Sequence, residues 1–250
     1  MKNKYDIIWL QSIDSTNNEA KRHIDKYDNL SVVSALSQTA GRGQRGNTWS
    51  SEKGLNLIFS IILKDIQSVK AADQFILSEI TALAVTDFLS SHGIKASIKW
   101  PNDIYIADRK VCGILIENSI RGEWLSSSII GIGLNVNQRN FDVNLPNPTS
   151  MLLESKKEQT FDIKICLEEF MEIFSSYMDS INGCHERFKV RERYLDRLWR
   201  KDSRHQYLDT RSDEMFSGTI RGISGIGHLV IEKKEGELKE FAFKEIAYIL

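Results

Sequence analysis

A short segment at residues 38–49, QTAGRGQRGNTW, combines residue types suited to closing over an anionic ligand. Its glycines let the backbone come close to a ligand, so that successive N–H groups converge on phosphate or carboxylate oxygens. Its two arginines supply forked donors, and its tryptophan supplies a flat apolar surface for a ring. The segment predicts a ligand-binding loop, although a functionless surface turn would have a similar composition. The residues concerned are Gly41, Arg42, Gly43, Arg45, Gly46 and Trp49.

The spacing of Gly41, Gly43 and Gly46 also matches the G-x-G-x-x-G fingerprint of dinucleotide-binding folds. That fingerprint requires a preceding strand and a helix that opens at the glycines. The loop instead leads into residues 55–63, LNLIFSIIL, a β-type run without helical period. A dinucleotide site of this class is therefore disfavoured.

A second group of chemically capable residues lies in KWPND, residues 99–103, and at Lys110. Pro101 fixes a turn, so that Asn102 and Asp103 are held at a strand end where they can point into a cleft. The stretch thus combines a cation, a rigid turn and a carboxylate, and a further lysine follows at residue 110. The alternative is an ordinary Pro-Asn-Asp turn with the lysines at the surface.

Two further segments bring polar groups next to regular structure. GIGLNVN, residues 131–137, places glycines inside a strand, which indicates close approach of a ligand or another backbone, or else a bulge. Asn135 in this segment offers amide donors and an acceptor. At residues 14–20, Thr16 and Glu19 have the spacing of a capping box, which predicts the start of a helix. Either a ligand wall or a purely structural cap fits that pattern.

Strands and helices must position these segments, and hydrophobic periodicity outlines them. Strands are predicted at residues 7–10, 30–38 and 55–63, and an antiparallel meander of strands is predicted within residues 96–137. A helix is predicted to start at residues 14–20, and further helices are predicted at residues 71–91, 151–153, 162–182 and 185–199. After Asp202 the pattern changes to short β segments that fit a small barrel. We expect residues 123–130 to form an exposed edge strand that could pair with a partner or a second subunit.

Composition narrows the class of protein. With 33 basic and 34 acidic residues the formal net charge is −1, so the strongly basic footprint of a nucleic-acid binder is missing. The five histidines and three cysteines lack the paired spacing of a zinc site, and no protein-bound metal is predicted. Without a signal-peptide h-region or an apolar run of membrane-spanning length, the sequence predicts a soluble, cytoplasmic protein that binds no membrane.

Taken together and in this order, the segments closely resemble the motifs of biotin protein ligases. The resemblance rests on residues 15–17, 41–49, 99–103, 109–113 and 131–137. It extends over nearly the whole chain, because the segment beyond residue 202 is similar to that family's small SH3-like C-terminal domain. Several long motifs in a fixed order are more specific than any single motif.

The resemblance implies an α+β fold, with a mixed, largely antiparallel sheet flanked by helices, as in class II aminoacyl-tRNA synthetases and lipoyl ligases. It implies a catalytic domain at residues 1–202 and an SH3-like β-barrel at residues 203–250. Biotin would react with ATP to give biotinoyl-AMP, and a lysine of a biotin carboxyl carrier protein would then receive the biotin. Mg²⁺ would be held chiefly by ATP phosphates and water.

The resemblance also implies roles for individual residues. Biotin binding is assigned to Ser15, Thr16, Asn17, Gln38, Gly41, Arg42, Gly43, Gln44, Lys110 and Gly113. Contacts to ATP or the adenylate are assigned to Arg42, Arg45, Trp49, Lys99, Asn102, Lys110 and Asn135. The predicted catalytic residues are Lys110 and Arg42, as cations for the two anions that must meet, and Asp103, as base or orienting group for the incoming lysine.

The sequence departs from the family pattern at Gln44, where many members have an arginine, so weaker retention of the acyl-adenylate is expected. It begins at the catalytic core without a winged-helix domain, so no DNA binding is predicted, and a monomer or a homodimer both fit. A lipoate or octanoate ligase is disfavoured because the loop ends at Trp49 without a histidine. A non-catalytic biotin-binding module would have no need of Lys110 or Asp103.

Overall fold

The structure is a computed structural model that describes residues 5–155, 159–178, 181 and 183–249, without the side chains of Arg45, Cys184 and Glu235. The described chain forms a seven-stranded sheet with helices packed on it, followed by a five-stranded sheet. The predicted fold class, a mixed and largely antiparallel sheet flanked by helices, is confirmed. The division into domains at residues 1–202 and 203–250 stays a prediction.

The large sheet is formed by the first half of the chain. Its strands are β1 (Ile7–Leu10), β2 (Val32–Ala35), β3 (Leu57–Lys64), β4 (Ser97–Lys99), β5 (Asp103–Ile106), β6 (Arg109–Arg121) and β7 (Trp124–Leu134). Their order is β1-β2-β3-β7-β6-β5-β4, with β1 parallel to β2 and the other neighbours antiparallel. The prediction of an exposed edge strand at residues 123–130 is wrong, because β3 and β6 pair with both sides of β7.

The two faces of this sheet carry different helices. Side chains of a strand alternate between faces, and in β3 Phe59 and Ile61 belong to the main core, whereas Ile62 packs with Ala20. Ala20 belongs to α1 (Thr16–Arg22), while the main core includes α2 (Phe75–Ser91), α4 (Ile163–Met178) and α5 (Cys184–Asp196). The short α3 (Met151–Glu154) is capped by Ser150, whose side chain accepts from the N–H of Leu153. The face with α1 is the one that carries the polar segments.

Helix α2 is apolar around most of its circumference rather than along one stripe. It contacts β4, β5 and β6 on one side and α4 and α5 on the other, so both sides are covered. The helix ends before Gly93, whose φ of +75° lies in the left-handed region that terminates helices. Burial on two sides explains why an amphipathic pattern is weak in this segment.

Helix α1 begins differently from the prediction. Ser15 is its N-cap residue and makes no side-chain capping bond in the described structure. The N–H of Thr16 donates to Oε1 of Gln38 (2.7 Å). The capping box of Thr16 and Glu19 is therefore wrong, because a glutamine distant in sequence satisfies the first N–H of the helix.

The second sheet lies at the end of the chain. Its strands are β8 (Arg204–Asp209), β9 (Glu214–Ile223), β10 (Leu229–Glu232), β11 (Leu238–Phe241) and β12 (Ile246–Tyr248), in the order β11-β10-β9-β8-β12. It contacts the KWPND turn, since Trp100 Nε1 donates to the carbonyl of Gly227 (2.9 Å) and the Trp100 ring lies 5.1 Å from that of Phe243. Within the described ranges, no helix has the length and apolar character needed to cross a membrane.

Candidate active site

A cavity of about 160 Å³ lies on the α1 face of the large sheet. It is bounded by the N-terminus of α1, by the glycine-rich loop at residues 41–49 (below, the loop) and by strands β5, β6 and β7. Most of the residues with predicted roles line it: Ser15, Thr16, Asn17, Gln38, Arg42, Gly43, Gln44, Trp49, Asn102, Asp103, Lys110 and Gly113. The fold thus brings together segments that are far apart in sequence.

Neutral hydrogen-bonding groups form one end of the cavity. Ser60 Oγ lies 2.6 Å from Asn17 Oδ1 and 2.8 Å from Thr16 Oγ1. Gln38 Oε1 accepts from the N–H of Thr16, and Asn17 Nδ2 donates to Glu117 Oε2 (2.9 Å). Thr16, Asn17 and Ser60 are almost fully buried, so these groups are held in fixed orientations. This end suits a small, neutral ring with both donors and acceptors.

A charged pair forms the opposite wall, where Lys110 Nζ lies 2.7 Å from Asp103 Oδ1. A register shift places Ile104 opposite Cys112 but Tyr105 opposite Lys110, so β6 contains an extra residue between them. In a regular strand, residues 110 and 113 would face opposite sides. The bulge turns Lys110 to the side of Gly113, where a Cβ would lie 3.4 Å from Lys110 Nζ. The lysine therefore points into the cavity.

Trp49 forms a third wall and rests on two glycines that pair directly across β6 and β7. Gly113 is opposite Gly133 in that register. A Cβ at position 133 would lie 2.4 Å from Trp49 Cε2, and one at position 113 would lie 3.0 Å from Cζ3. Lys110 Nζ lies 5.6 Å from the centre of the indole ring. The strand glycines thus provide the predicted close approach, and the group that approaches Gly133 is a side chain.

Gly131 likewise leaves space for a side chain at the neutral end of the cavity. A Cβ at position 131 would lie 2.2 Å from Asn17 Oδ1, closer than two atoms can pack. Gly131 pairs with Ser60 across β3 and β7, which leaves the space that Asn17 occupies beside the serine. Both glycines of β7 are therefore required by side chains that line the cavity.

Arg42 closes the cavity from the loop. Its Nη1 and Nη2 lie 3.2 and 3.3 Å from the two carboxylate oxygens of Glu117, and Nη1 donates to Asn18 Oδ1 (2.9 Å). The loop is a short hairpin, in which the Trp49 N–H donates to the Gly41 carbonyl (3.0 Å). An arginine in such a fork can exchange a carboxylate partner for a phosphate.

Several predicted residues lie elsewhere. Among the described residues, Gly41, Lys99 and Asn135 do not line the cavity. Lys99 Nζ donates to Tyr105 Oη (2.8 Å) and lies near the rings of Tyr105, Trp199 and Tyr248. The side chain of Arg45 lies outside the described part of the structure. Contacts of these four residues with a ligand stay predictions.

Gly41 and Asn135 have structural partners instead. A Cβ at Gly41 would lie 2.2 Å from the Trp49 carbonyl oxygen, so glycine allows the two sides of the loop to meet. Asn135 is buried, and its Nδ2 donates to the carbonyl of Thr149 (2.9 Å). That bond holds the chain after β7 in place.

Two site residues escaped sequence reasoning, Ser60 and Glu117. Ser60 is a fully buried hydroxyl in the apolar run LIFSIILK, and a lone polar residue in such a strand is the signal that was available. Glu117 lies in β6 two residues after Leu115 and four after Gly113, which both line the cavity, and its carboxylate contacts Asn17 and Arg42. Period-two alternation from Gly113 would have found it.

The arrangement is suited to joining two anions rather than to covalent catalysis by the protein. Lys110 and Arg42 supply positive charge beside a neutral ring site, and Asp103 supplies a carboxylate next to the lysine. Cys112 is fully buried, and burial raises the pKa of its thiol well above the usual range, so a thiolate nucleophile is disfavoured there.

Comparison with known proteins fits this geometry. The model of the biotin/lipoate A/B protein ligase family matches residues 9–135, a range that includes every predicted site residue. The bifunctional ligase/repressor BirA of Bacillus spizizenii is 40% identical over 217 residues, covering 84% of this chain and 64% of that protein. The biotin–[acetyl-CoA-carboxylase] ligase of Paracoccus denitrificans is 37% identical over 130 residues, 51% of this chain and 53% of that one. The chain thus spans less than two thirds of the length of these relatives.

Solved structures give the same result for the fold. The biotin protein ligase of Aquifex aeolicus, in complex with biotin and ATP, superposes with a TM-score of 0.81 at 26% sequence identity, and 97% of each chain is covered. Because the family model matches half of the sequence, and the cavity is built from residues inside that match, the chain belongs to the biotin/lipoate A/B protein ligase family.

Proposed function

We propose that this chain is a biotin protein ligase that acts in the cytoplasm. It activates biotin with ATP as biotinoyl-AMP and transfers the biotin to a lysine of a biotin carboxyl carrier protein or domain. One observation carries the proposal: a neutral hydrogen-bonding end and the Lys110–Asp103 pair line the same cavity. The family match supports it, as do the biotin and ATP bound to the Aquifex protein.

The neutral end favours biotin over lipoate. The ureido ring of biotin has two N–H donors and a carbonyl acceptor, which the side chains of Thr16, Asn17 and Gln38 at the cavity can pair. The dithiolane ring of lipoate has no such groups and could form none of these hydrogen bonds with the cavity wall. A lipoate or octanoate ligase is therefore the weaker candidate.

In the first step, a carboxylate oxygen of biotin forms a bond to the α-phosphorus of ATP. The bond from that phosphorus to the oxygen bridging to the β-phosphate breaks, and pyrophosphate leaves. Negative charge gathers on the phosphoryl oxygens, where Lys110 and Arg42 stabilise it from fixed positions. Mg²⁺ would travel with the ATP phosphates and water, since Asp103 and Glu117 at the cavity are already paired with Lys110 and Arg42.

In the second step, the amine of the acceptor lysine attacks the acyl carbon of biotinoyl-AMP. A C–N bond forms, the bond to the phosphate oxygen breaks, and AMP leaves. The attacking ammonium must first lose a proton, and Asp103 at the edge of the cavity accepts it or orients the amine. A binding module that only retained biotin would have no use for this carboxylate.

The position of Gln44 bears on the lifetime of the intermediate. Gln44 lines the cavity with a neutral amide where many family members have an arginine. One cation fewer beside the adenylate phosphate would let biotinoyl-AMP dissociate faster. Release of free intermediate into solution during turnover would test this.

The deciding experiment is exchange of labelled pyrophosphate into ATP by the purified protein, with biotin or lipoate as the acid. Exchange with biotin alone is expected. Exchange with lipoate alone would indicate the other branch of the family, and exchange with neither would favour a binding module. Mass spectrometry of candidate carrier proteins then identifies the acceptor, while light scattering and a gel shift test the expected monomer or homodimer without DNA binding.

A further inference from the structure

Glu117 lies at the junction between the neutral end of the cavity and the loop. Its Oε2 accepts from Asn17 Nδ2 (2.9 Å) and lies 3.2 Å from Arg42 Nη1, while its Oε1 lies 3.3 Å from Arg42 Nη2. One carboxylate on β6 therefore holds a side chain of α1 and the arginine of the loop at the same time.

For the loop, Glu117 is the polar link to the sheet. The backbone hydrogen bonds between residues 41 and 49 join the two sides of the loop to each other, as from Gly43 N–H to the Asn47 carbonyl (2.7 Å). They do not attach it to the wall of the cavity. Arg42 does so, through Glu117 on β6 and through Asn18 on α1. Without the carboxylate, the loop would keep its contacts through Asn18 and Trp49 but would lose its hydrogen bonds to β6, and its glycines would allow more motion.

For Asn17, Glu117 helps to decide which way the carboxamide points, because Asn17 Nδ2 donates to Glu117 Oε2 (2.9 Å) and to the Leu115 carbonyl (3.3 Å). A carboxylate can only accept hydrogen bonds, so it requires the NH₂ group of Asn17 on its side. The carbonyl oxygen of Asn17 then lies 2.6 Å from Ser60 Oγ. The reversed amide would bring Asn17 Oδ1 against the negative charge of Glu117. The carboxylate and the Leu115 carbonyl together thus fix the donor and acceptor pattern that a ring ligand meets, and the carboxylate makes the shorter contact.

We infer that Glu117 is a positioning residue that couples the ring-binding end of the cavity to the loop. The inference rests on the proposed function, and it assigns Glu117 no contact with the reacting atoms. The carboxylate prearranges Asn17 and Arg42 together, so that biotin meets an oriented amide and a loop already placed over it. Loss of the charge should affect biotin capture more than the chemical step.

The test compares Glu117→Gln with a matched control, Glu232→Gln. Glu232 forms an ion pair with Arg221 (2.6 Å) in the second sheet. The two pairs are similarly exposed, since the side chains of Arg221 and Glu232 are 44% and 32% exposed and those of Arg42 and Glu117 are 42% and 24% exposed. In the ligand-free protein, hydrogen exchange at the amides of residues 41–49 should become about tenfold faster in E117Q and stay unchanged in E232Q. In pyrophosphate exchange, the KM for biotin should rise about tenfold in E117Q with a smaller change in kcat.

A second variant keeps the test independent of the stability of E117Q. Arg42→Lys keeps the charge at an exposed position and removes the fork, and it should speed up exchange in the loop to a similar degree. In the double variant, hydrogen exchange in the loop should be little faster than in R42K alone, because both substitutions remove the same contact. The inference would be overturned if hydrogen exchange in the loop and the KM for biotin in E117Q both stayed within twofold of wild type. Equal effects in E232Q, or additive effects of E117Q and R42K on hydrogen exchange in the loop, would also overturn it. Absence of biotin-dependent pyrophosphate exchange in the wild type would instead reject the proposed function. Hydrogen exchange in the loop would still decide the role of Glu117.

Discussion

Lys110 Nζ and Asp103 Oδ1 are 2.7 Å apart because a bulge in β6 turns the lysine to the face on which the aspartate lies. The contact gives each residue a partner that fixes its position before substrates bind. A lysine held in this way can receive charge that develops on phosphoryl oxygens without first reorganising. The same geometry predicts that substitution of Lys110 and substitution of Asp103 impair different steps of the reaction.

Lys110→Ala should lower the rate of biotinoyl-AMP formation by about 10²–10³-fold, while biotin still binds. The reason is that the amine acts on charge of the transition state, whereas the neutral end of the cavity holds the ring. Pyrophosphate exchange measures the rate, and calorimetry with biotin alone measures binding. Lys70→Ala is the control, since Lys70 lies over the ring of Trp124 at the far end of β7. Near-normal exchange in K110A would rule out the proposed role.

Asp103→Asn should slow transfer to the acceptor lysine by about 10²-fold or more, because the amide cannot accept the proton of the ammonium group. Transfer to hydroxylamine, which is largely unprotonated at neutral pH, should be much less affected. Both rates can be followed from preformed biotinoyl-AMP. Equal losses with the two nucleophiles would indicate that Asp103 acts only by holding Lys110.

Gly133→Ala should displace Trp49, because the new methyl group would lie 2.4 Å from the indole. We expect a loss of about 1–3 kcal/mol in the free energy of unfolding, a shift in tryptophan fluorescence and weaker ligand binding. Gly222→Ala in β9 is the matched control, since its methyl group would lie 3.6 Å from Leu195 Cδ2 in ordinary contact. Unchanged fluorescence in G133A would show that the contact with Trp49 is not maintained in solution.

The parts of the site that could be predicted from the sequence are those spelled out within one segment. The loop, the KWPND turn and the glycines of β7 each carry several unusual residues in a row, and their order gives the family resemblance that implies the fold class. Ser60 is a single polar residue in an apolar strand, whereas Glu117 begins the polar end of β6. Their roles arise from register, as when Ser60 opposite Gly131 leaves room for Asn17. The central position of β7 was missed for the same reason, because pairing with β3 joins segments that are distant in sequence.

A buried carboxyl far from the cavity predicts how stability depends on pH. Glu79 on α2 is 1% exposed and forms an ion pair with Arg191 on α5. Burial raises the pKa of Glu79 from 4.5 to about 7, and Arg191 opposes that rise. Because the native state holds the proton more tightly than the unfolded chain, this carboxyl contributes most stability below its unfolded value of 4.5, and the contribution falls as the pH rises to about 7. In urea unfolding across that pH range, the free energy of unfolding of the wild type should fall relative to that of Glu79→Gln. The control is Glu192→Gln on the surface of α5, which should follow the wild type. Parallel curves for wild type and E79Q would contradict the prediction.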